Sequence, residues 1–311
     1  MRFSLLFVFV FCAQMFANAQ GDSNAIQKVS FFEPSPVFNK QRLGFVAGVE
    51  LLEATGSLIL LDQLWYANYQ KSAFHFFNDN DEWLGMDKFG HAQTGYSVGA
   101  SGYSALKWTG LSDNKCLLYG GTLGFAYLTV VEVMDGLSQE WGFSPGDFAA
   151  DALGSALFIG EQLLWKEQRI VYKWSFSPSP YAQYRPNVLG PNLGQQWLKD
   201  YNGQTYWLSA NIASFLPSTA KFPKWLNLAV GYGADGMTGG SSNPTVVNGK
   251  SIPAFERRSQ YYLSLDIDLT RINTKHKFLK TIFNTVGFLK VPMPTLEITP
   301  GKPTGFYCFF F

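Results

Sequence analysis

The sequence predicts an α+β protein, in which an N-terminal four-helix bundle rich in glycine precedes a C-terminal antiparallel β-sheet or partial barrel. Two observations predict this class. Apolar residues recur at helical spacing from residue 43 to about residue 168, and from residue 169 onward they alternate with polar ones. We therefore expect a helical domain over 43–168 and a β domain over 169–311, after a signal peptide (1–19) and an N-terminal extension (20–42).

The composition points towards a membrane and away from nucleic acid. Charged residues make up 15% of the 311 residues, and aromatic residues reach 17%. Soluble domains carry about 25% charged residues, so this chain is poor in charge. The formal net charge is +1 and no basic run occurs, whereas phosphate neutralisation requires a concentrated positive surface. We expect a membrane lipid or an envelope protein as partner, and no nucleic acid.

The N-terminus has the features of an export signal. A positive start at Arg2 is followed by the apolar run 5–11 and by Ala17-Asn18-Ala19, an A-x-A cleavage site. An uncleaved anchor is the alternative, but the apolar run is short for a membrane span. Cys12 is preceded by the bulky Phe11, so we predict no lipidation. These features predict an exported protein, in the outer membrane or periplasm of a Gram-negative cell.

Four segments are predicted to be helices, and their short connections favour antiparallel neighbours. They cover residues 44–71, 87–108, 114–138 and 145–167. Glycines recur in them at helical spacing, as in the pair Gly95 and Gly99, and such spacing permits the close backbone packing familiar from membrane helices. No segment has a charge-free run of about 20 residues. A bundle in the periplasm and a bundle in the membrane therefore both remain open.

The β domain is predicted from alternating segments and the turn signals between them. The expected strands are Ile170–Phe176, Thr205–Phe215, Trp225–Ala234, Tyr261–Thr270, Thr295–Ile298 and Phe306–Phe311, with one amphipathic helix over 275–288. Six strands are fewer than the eight of the smallest common barrels, although an aromatic terminal strand is typical of outer-membrane barrels. We prefer an open or partial sheet at the outer membrane; a periplasmic sheet packed on the helices is the alternative.

Polar residues gather at three predicted helix ends, which an antiparallel bundle brings to one side. They are Asp87, Lys88 and His91 on the second helix, Glu132, Asp135, Ser138 and Gln139 at the end of the third, and Asp147 and Asp151 on the fourth. Pairs spaced by three or four residues project from one helix face. One imidazole with several carboxylates is able to hold one divalent metal ion, and the candidate ligands are His91, Glu132, Asp135, Asp147 and Asp151.

This cluster has two interpretations. As a catalytic site, His91, Glu132 and Asp135 would carry the chemistry, with a metal activating water or with His91 acting as a general base. As a structural network, Asp87 is a helix N-cap, and Ser144-Pro145-Gly146-Asp147 is a capping arrangement. Lys88 or His91 then pairs with Glu132 and Asp135. We prefer the structural network.

Four stretches resemble a Bacteroidetes group within the YfiM-like family of envelope proteins, which carry a domain of unknown function. The stretches are 74–77, 82–91, 132–147 and 201–209. The order D-K-x-x-H, E-x-x-D and D-x-x-A-D-x-x-G is also distantly similar to VanZ-like membrane proteins. The resemblance implies an envelope location and a signature site at these polar positions, but no reaction. The YfiM type often has asparagine where this chain has Asp151.

The sequence therefore leads to two hypotheses about function, and whether the protein is an enzyme stays open. The first is a non-enzymatic envelope protein that binds lipid or a partner and is built around a polar network at helix ends. The second is a metal-assisted hydrolase that acts on an envelope lipid or glycolipid.

Overall fold

The computed structural model describes residues 30–67 and 69–310, so the predicted signal peptide, Cys12 and Phe311 lie outside the described residues. The fold is mixed, with 45% helix and 20% strand, and its antiparallel sheet is not closed. The described chain forms two compact units, the first from residues 30–77 and 98–143, the second from residues 78–97 and 144–310. The two cysteines in these ranges, Cys116 and Cys308, are free thiols.

The first unit is helical. Its elements are α1 (Lys40–Leu61) with a π-helical continuation (Asp62–Tyr66), the C-terminal half of α2 (Met86–Trp108), the single turn α3 (Asp113–Lys115) with a π-helical segment (Cys116–Gly121), and α4 (Leu123–Gly136). The Asn39 side chain caps α1 by accepting from the Arg42 amide. Val46, Leu106 and Cys116 form a buried apolar cluster. The predicted helices are present, and their assembly into one four-helix bundle stays a prediction.

Two helical stretches of the first unit are long and apolar enough to cross a membrane, judged by length and composition. They are Lys40–Tyr66, with 27 residues, and Asp113–Gly136, with 24 residues. Core helices of soluble proteins pass the same test when they are mostly buried. In the most apolar part of the first stretch only 6% of the residues are buried, and in that of the second 39% are buried. Neither stretch is therefore mostly buried.

The second unit contains the sheet and the remaining helices. The helices are the first half of α2, α5 (Pro145–Trp165), α6 (Pro186–Leu189), α7 (Leu193–Lys199) and α8 (Lys277–Thr285), with 3-10 turns at Glu82–Gly85, Ile212–Phe215 and Leu269–Arg271. The strands are β1 (Ile170–Phe176), β2 (Gln204–Asn211), β3 (Leu226–Asp235), β4 (Val246–Val247), β5 (Lys250–Ser251), β6 (Arg258–Ile267), β7 (Met293–Ile298) and β8 (Gly305–Phe310). The main sheet has the order β1-β2-β3-β6-β7-β8, and β4 and β5 form a separate hairpin.

All neighbouring strands of the main sheet are antiparallel, as predicted, and the register is set by pairs such as Val230 with Leu263 and Leu263 with Leu296. The sheet is strongly curved. Phe310 on β8 and Trp207 on β2 have ring centroids 6.1 Å apart although three strands lie between them, a distance that a flat sheet would not allow. The outer edge of β1 is covered, since the Trp174 amide donates to the Phe288 carbonyl at 2.9 Å.

The buried face of the sheet is rich in polar residues, which surround a small apolar cluster of Trp207, Ala229 and Tyr262. Lys173 and Asp266 are both fully buried, with Lys173 Nζ 2.7 Å from Asp266 Oδ2, and Ser209 donates to the same carboxylate at 2.6 Å. Asn211 donates to Asn227 at 2.6 Å on the same face. The opposite face is apolar, and its exposed side chains are Leu208, Leu228, Val230, Tyr261, Leu263, Leu265, Leu296 and Ile298. This polarity is the reverse of that expected for a sheet with one face in water.

Candidate functional site

Two helix starts meet in the second unit because glycine lets α2 and α5 approach closely. A Cβ atom at Gly95 would lie 2.8 Å from the Asp151 carbonyl oxygen, so only glycine fits there without a shift. Ser155 Oγ donates to the Gly95 carbonyl at 3.3 Å, which links the two backbones directly. The close packing predicted from the glycine spacing is therefore confirmed at this position. The first turns of both helices, with their polar residues, lie in this unit.

A left-handed turn sets the start of α2. Trp83 and Leu84 have positive φ angles of 49° and 52°, a conformation that costs about 1–2 kcal/mol per residue. Tyr232 OH donates to the Leu84 carbonyl at 2.6 Å, and the Trp83 amide donates to the Gly240 carbonyl at 2.9 Å. These bonds hold the turn in place, so α2 begins at Met86. Asp87 lies inside the first helical turn, and the predicted N-cap role is wrong. Asp87 instead complements the helix dipole.

The start of α5 is capped as the sequence predicts. Ser144 Oγ accepts a hydrogen bond from the Asp147 amide at 3.1 Å, and proline follows as the first helical residue. The same hydroxyl donates to Asp79 Oδ1 at 2.6 Å. Asp147 is thereby fixed in a buried position, with its side chain 4% exposed.

Lys88 lies among three carboxylates. Its Nζ atom is 2.5 Å from Asp79 Oδ1, 3.0 Å from Asp147 Oδ1 and 3.8 Å from Asp87 Oδ2. Burial by itself lowers the pKa of Lys88, but the carboxylates, Asp147 foremost, outweigh burial and raise this pKa. Hydrogen bonds from Lys88 and Ser144 lower the pKa of Asp79 against the opposing effect of burial. Lys88 is therefore charged, and Asp79 is its ionised partner.

His91 is held by a buried carboxylate. Its Nδ1 atom lies 2.9 Å from Oδ1 of Asp151, which is fully buried, and its Nε2 atom lies 4.0 Å from Asp87 Oδ1. Burial opposes the imidazolium, yet the hydrogen bond to Asp151 and the nearby charges of Asp87 and Asp147 raise the pKa of His91 to about 10. Burial, together with the charge of Asp87, raises the pKa of Asp147 to about 8. At neutral pH His91 is therefore protonated, and the charges of His91 and Lys88 oppose the rise in the pKa of Asp147.

Three side chains of this cluster have the geometry of metal ligands. Asp87, His91 and Asp147 each offer one ligand atom, and these atoms all lie within 4.8 Å of one another. Asp87 is not among the metal ligands that the sequence predicts. Tyr201 OH donates to Asp87 Oδ1 and was missed as a site residue. It lies 114 residues further along the chain, on the turn before β2, and no spacing in the sequence connects it with Asp87.

The other predicted site residues lie in the first unit, at the end of α4. Glu132 is 1% exposed, and Asp135 accepts a hydrogen bond from Tyr66 OH at 2.7 Å. Ser138 is buried, and the Gln139 amide donates to the Gln70 carbonyl at 2.9 Å. The predicted meeting of these residues with His91, Asp147 and Asp151 stays a prediction.

Similarity to a known family supports an exported, periplasmic or envelope protein with a domain of unknown function. The family whose profile matches, over residues 75–160, is described as a predicted periplasmic lipoprotein (DUF2279). The matched segment includes every cluster residue from Asp79 to Asp151. No curated protein and no solved structure matches the chain.

The finer features of the predicted resemblance go beyond this family match. The YfiM-like and VanZ-like similarities stay predictions. The family description names a lipoprotein, whereas Phe11 before Cys12 predicts that this chain is not lipidated. Both residues lie outside the described ranges, so lipidation stays open to a direct test by mass spectrometry of the mature N-terminus.

Proposed function

We propose that the protein is a non-enzymatic, lipid-binding structural protein of the cell envelope. The observation that carries the proposal is the reversed polarity of its sheet. An ion pair and several hydrogen-bonded polar side chains occupy the buried face, and leucine, isoleucine, valine and tyrosine side chains occupy the exposed face. Lipid-facing sheets have this arrangement, with an apolar outer surface and a polar inner surface.

The register makes the exposed apolar side chains one continuous patch. Val230 pairs with Leu263, and Leu263 pairs with Leu296, so apolar residues follow each other across three strands. Leu228 and Leu265 form a second row beside the first. Large contiguous apolar patches on monomers mark interaction surfaces. Helix α2 packs on part of the sheet, where Phe89 stacks on Tyr232 with ring centroids 4.5 Å apart.

The two membrane-length stretches of the first unit have the same reversed polarity, with acidic residues on the buried side and apolar residues on the exposed side. The exposed face of α1 contains no charged residue between Gly44 and Ile59, while Glu50 and Glu53 lie on its half-buried side. Its members are Gly44, Ala47, Gly48, Leu51, Leu52, Thr55 and Ile59. On α4 the acidic Glu132 is buried, whereas Val130 and Val133 are exposed. A helix in water has its charged side outward, and a helix in lipid has it inward.

Lipid cross-linking tests the proposal. The mature protein is reconstituted into vesicles that contain a photoactivatable phospholipid, and labelled peptides are identified by mass spectrometry. We expect label within residues 44–59, 118–137, 228–230 and 261–265, and retention in the membrane pellet after carbonate extraction. Release by carbonate, with no label in these segments, would reject lipid binding. A density gradient of cell envelopes tests the outer membrane as the location.

A metal-assisted hydrolase is the second candidate function. The observation that favours it is the convergence of Asp87, His91 and Asp147 within 4.8 Å, because a metal held by three protein ligands keeps a position for an activated water. Turnover of envelope lipids or glycolipids by the wild type, lost in His91→Gln, would support it. Absence of turnover in the metal-loaded protein would reject it.

A further inference from the structure

We infer that Asp87, His91 and Asp147 form a binding site for one divalent cation of the Zn²⁺ or Mn²⁺ class, with Asp151 as the residue that orients His91. The inference goes beyond lipid binding and does not require it. It requires no hydrolysis either, because a cation held here can link the starts of α2 and α5 as a purely structural centre.

The geometry supplies ligands of the correct type. Two carboxylate oxygens and one imidazole nitrogen suit Zn²⁺ or Mn²⁺, which bind them at about 2.0–2.2 Å. Ligand atoms within 4.8 Å of one another are close enough to share one such ion after small movements. Asp151 Oδ1, 2.9 Å from His91 Nδ1, accepts the proton on Nδ1 and leaves Nε2 directed towards Asp87. Metal-binding histidines commonly have a carboxylate in this position.

The charge balance of the second unit's cluster also favours a cation. Four carboxylates, those of Asp79, Asp87, Asp147 and Asp151, surround two basic groups, those of Lys88 and His91. Asp147 and Asp151 are almost fully buried: Asp151 Oδ2 accepts no hydrogen bond from the described residues, and Asp147 has one cation, Lys88, as the partner of both its oxygens. Buried carboxylates without full compensation are costly, and a divalent ion would compensate them. Asp87 and His91 remain partly accessible, at 24% and 16%, so an ion has a path to the site.

Lys88 competes with the proposed ion for the carboxylate of Asp147, but it can pair with Asp79 instead. Its ammonium lies 3.0 Å from Asp147 Oδ1, and a metal on Asp147 would repel it. Asp79 already binds the same ammonium at 2.5 Å, and Ser144 holds Asp79 in place. Metal binding therefore transfers Lys88 entirely to Asp79, and removal of the Lys88 charge should strengthen metal binding.

Manganese binding to the full mature chain in detergent tests the inference. We expect about one Mn²⁺ per chain by electron paramagnetic resonance, with nitrogen coupling from one imidazole, and competition by Zn²⁺. Asp87→Asn and His91→Gln should each weaken binding at least tenfold, and His91→Gln should abolish the nitrogen coupling. Lys88→Met should bind more tightly than the wild type. Asp268→Asn, which removes another buried carboxylate of the same unit, is the matched control and should bind normally.

Other results would overturn the site. Failure of the wild type to bind Mn²⁺ or Zn²⁺ at millimolar concentration would reject it, as would a bound ion without nitrogen coupling. If Asp87→Asn and His91→Gln bind Mn²⁺ as tightly as the wild type, the ion binds at another position and the proposed ligands are wrong. These outcomes are independent of lipid cross-linking, so failure of the metal site and failure of the proposed lipid binding are distinguishable.

Discussion

At the scale of single residues, burial determines how much the loss of one partner of an ion pair lowers the free energy of unfolding. Lys173 and Asp266 are fully buried and lie 2.7 Å apart, whereas Lys107 and Asp113 lie 2.5 Å apart with side chains 37% and 51% exposed. The distances are nearly equal, but water screens only the second pair. Loss of one partner leaves an uncompensated charge in the first case and a solvated charge in the second.

Asparagine at the acidic position of each pair tests this difference. Asp266→Asn leaves two buried lysines, Lys173 and Lys290, without their carboxylate, and we expect the free energy of unfolding to fall by about 3–5 kcal/mol. Asp113→Asn should lower it by less than about 1 kcal/mol. Denaturant unfolding in detergent measures both values. Equal losses in the two variants would show that burial of the sheet's polar face contributes little.

The pH dependence of the His91–Asp151 pair gives a second prediction at this scale. The pKa of His91 is raised from 6.5 to about 10 in the folded protein, so protonation stabilises the fold. The contribution is fully present below pH 6.5 and is lost as pH rises towards 10. In EDTA, His91→Gln should therefore lower the free energy of unfolding most at pH 6 and much less at pH 10. A gap between variant and wild type that is independent of pH would contradict a charged His91.

At the scale of elements, two glycines of the helices have opposite roles. A Cβ atom at Gly99 in α2 would lie 2.5 Å from the Gly121 carbonyl oxygen, whereas one at Gly48 in α1 would meet nothing within 4 Å. Gly99→Ala forces the backbones apart, and overpacking of this kind costs about 1–3 kcal/mol. Gly48→Ala should be neutral or stabilising by up to about 1 kcal/mol, because alanine favours a helix. Thermal melting of both variants checks this, and destabilisation by Gly48→Ala would mean that its face is occupied.

The last residues of two strands differ from those predicted from the sequence. The strand predicted over Thr205–Phe215 ends at Asn211, because the Asn211 side chain accepts from the Ser214 amide and starts a 3-10 turn. Asp268 ends β6 in the same way, by accepting from the Thr270 amide. The positions of the six main strands, the long helices and α8 could be predicted from periodicity, whereas α6, α7 and the hairpin of β4 and β5 were not predicted. Their last residues depend on side-chain caps, which periodicity does not detect.

At the scale of the whole molecule, the site could be predicted where its residues share a helix or lie at helix ends that short connections bring together. Asp87 and His91, four residues apart on α2, were predictable neighbours. Asp147 and Asp151 belong to α5, and the G-x-x-x-G spacing indicated close packing. Tyr201 opens the stretch 201–209 that resembles the family, but its contact with Asp87 could not be predicted, because it depends on how the β domain folds. A contact such as this one, between residues more than 100 positions apart, depends on tertiary packing and cannot be predicted from residue spacing.

The reversed polarity of the sheet gives the last prediction. Leu263 lies in the middle of the exposed apolar patch, between Val230 and Leu296, whereas Leu193 is similarly exposed at the start of α7, outside the sheet. Lysine on a lipid-facing strand costs about 2–4 kcal/mol near the middle of a bilayer. Leu263→Lys should therefore reduce the fraction of protein that floats with vesicles and remains after carbonate extraction, and Leu193→Lys should not. If both variants float like the wild type while remaining folded, the patch faces water or a protein, and the sheet is not a lipid-binding surface.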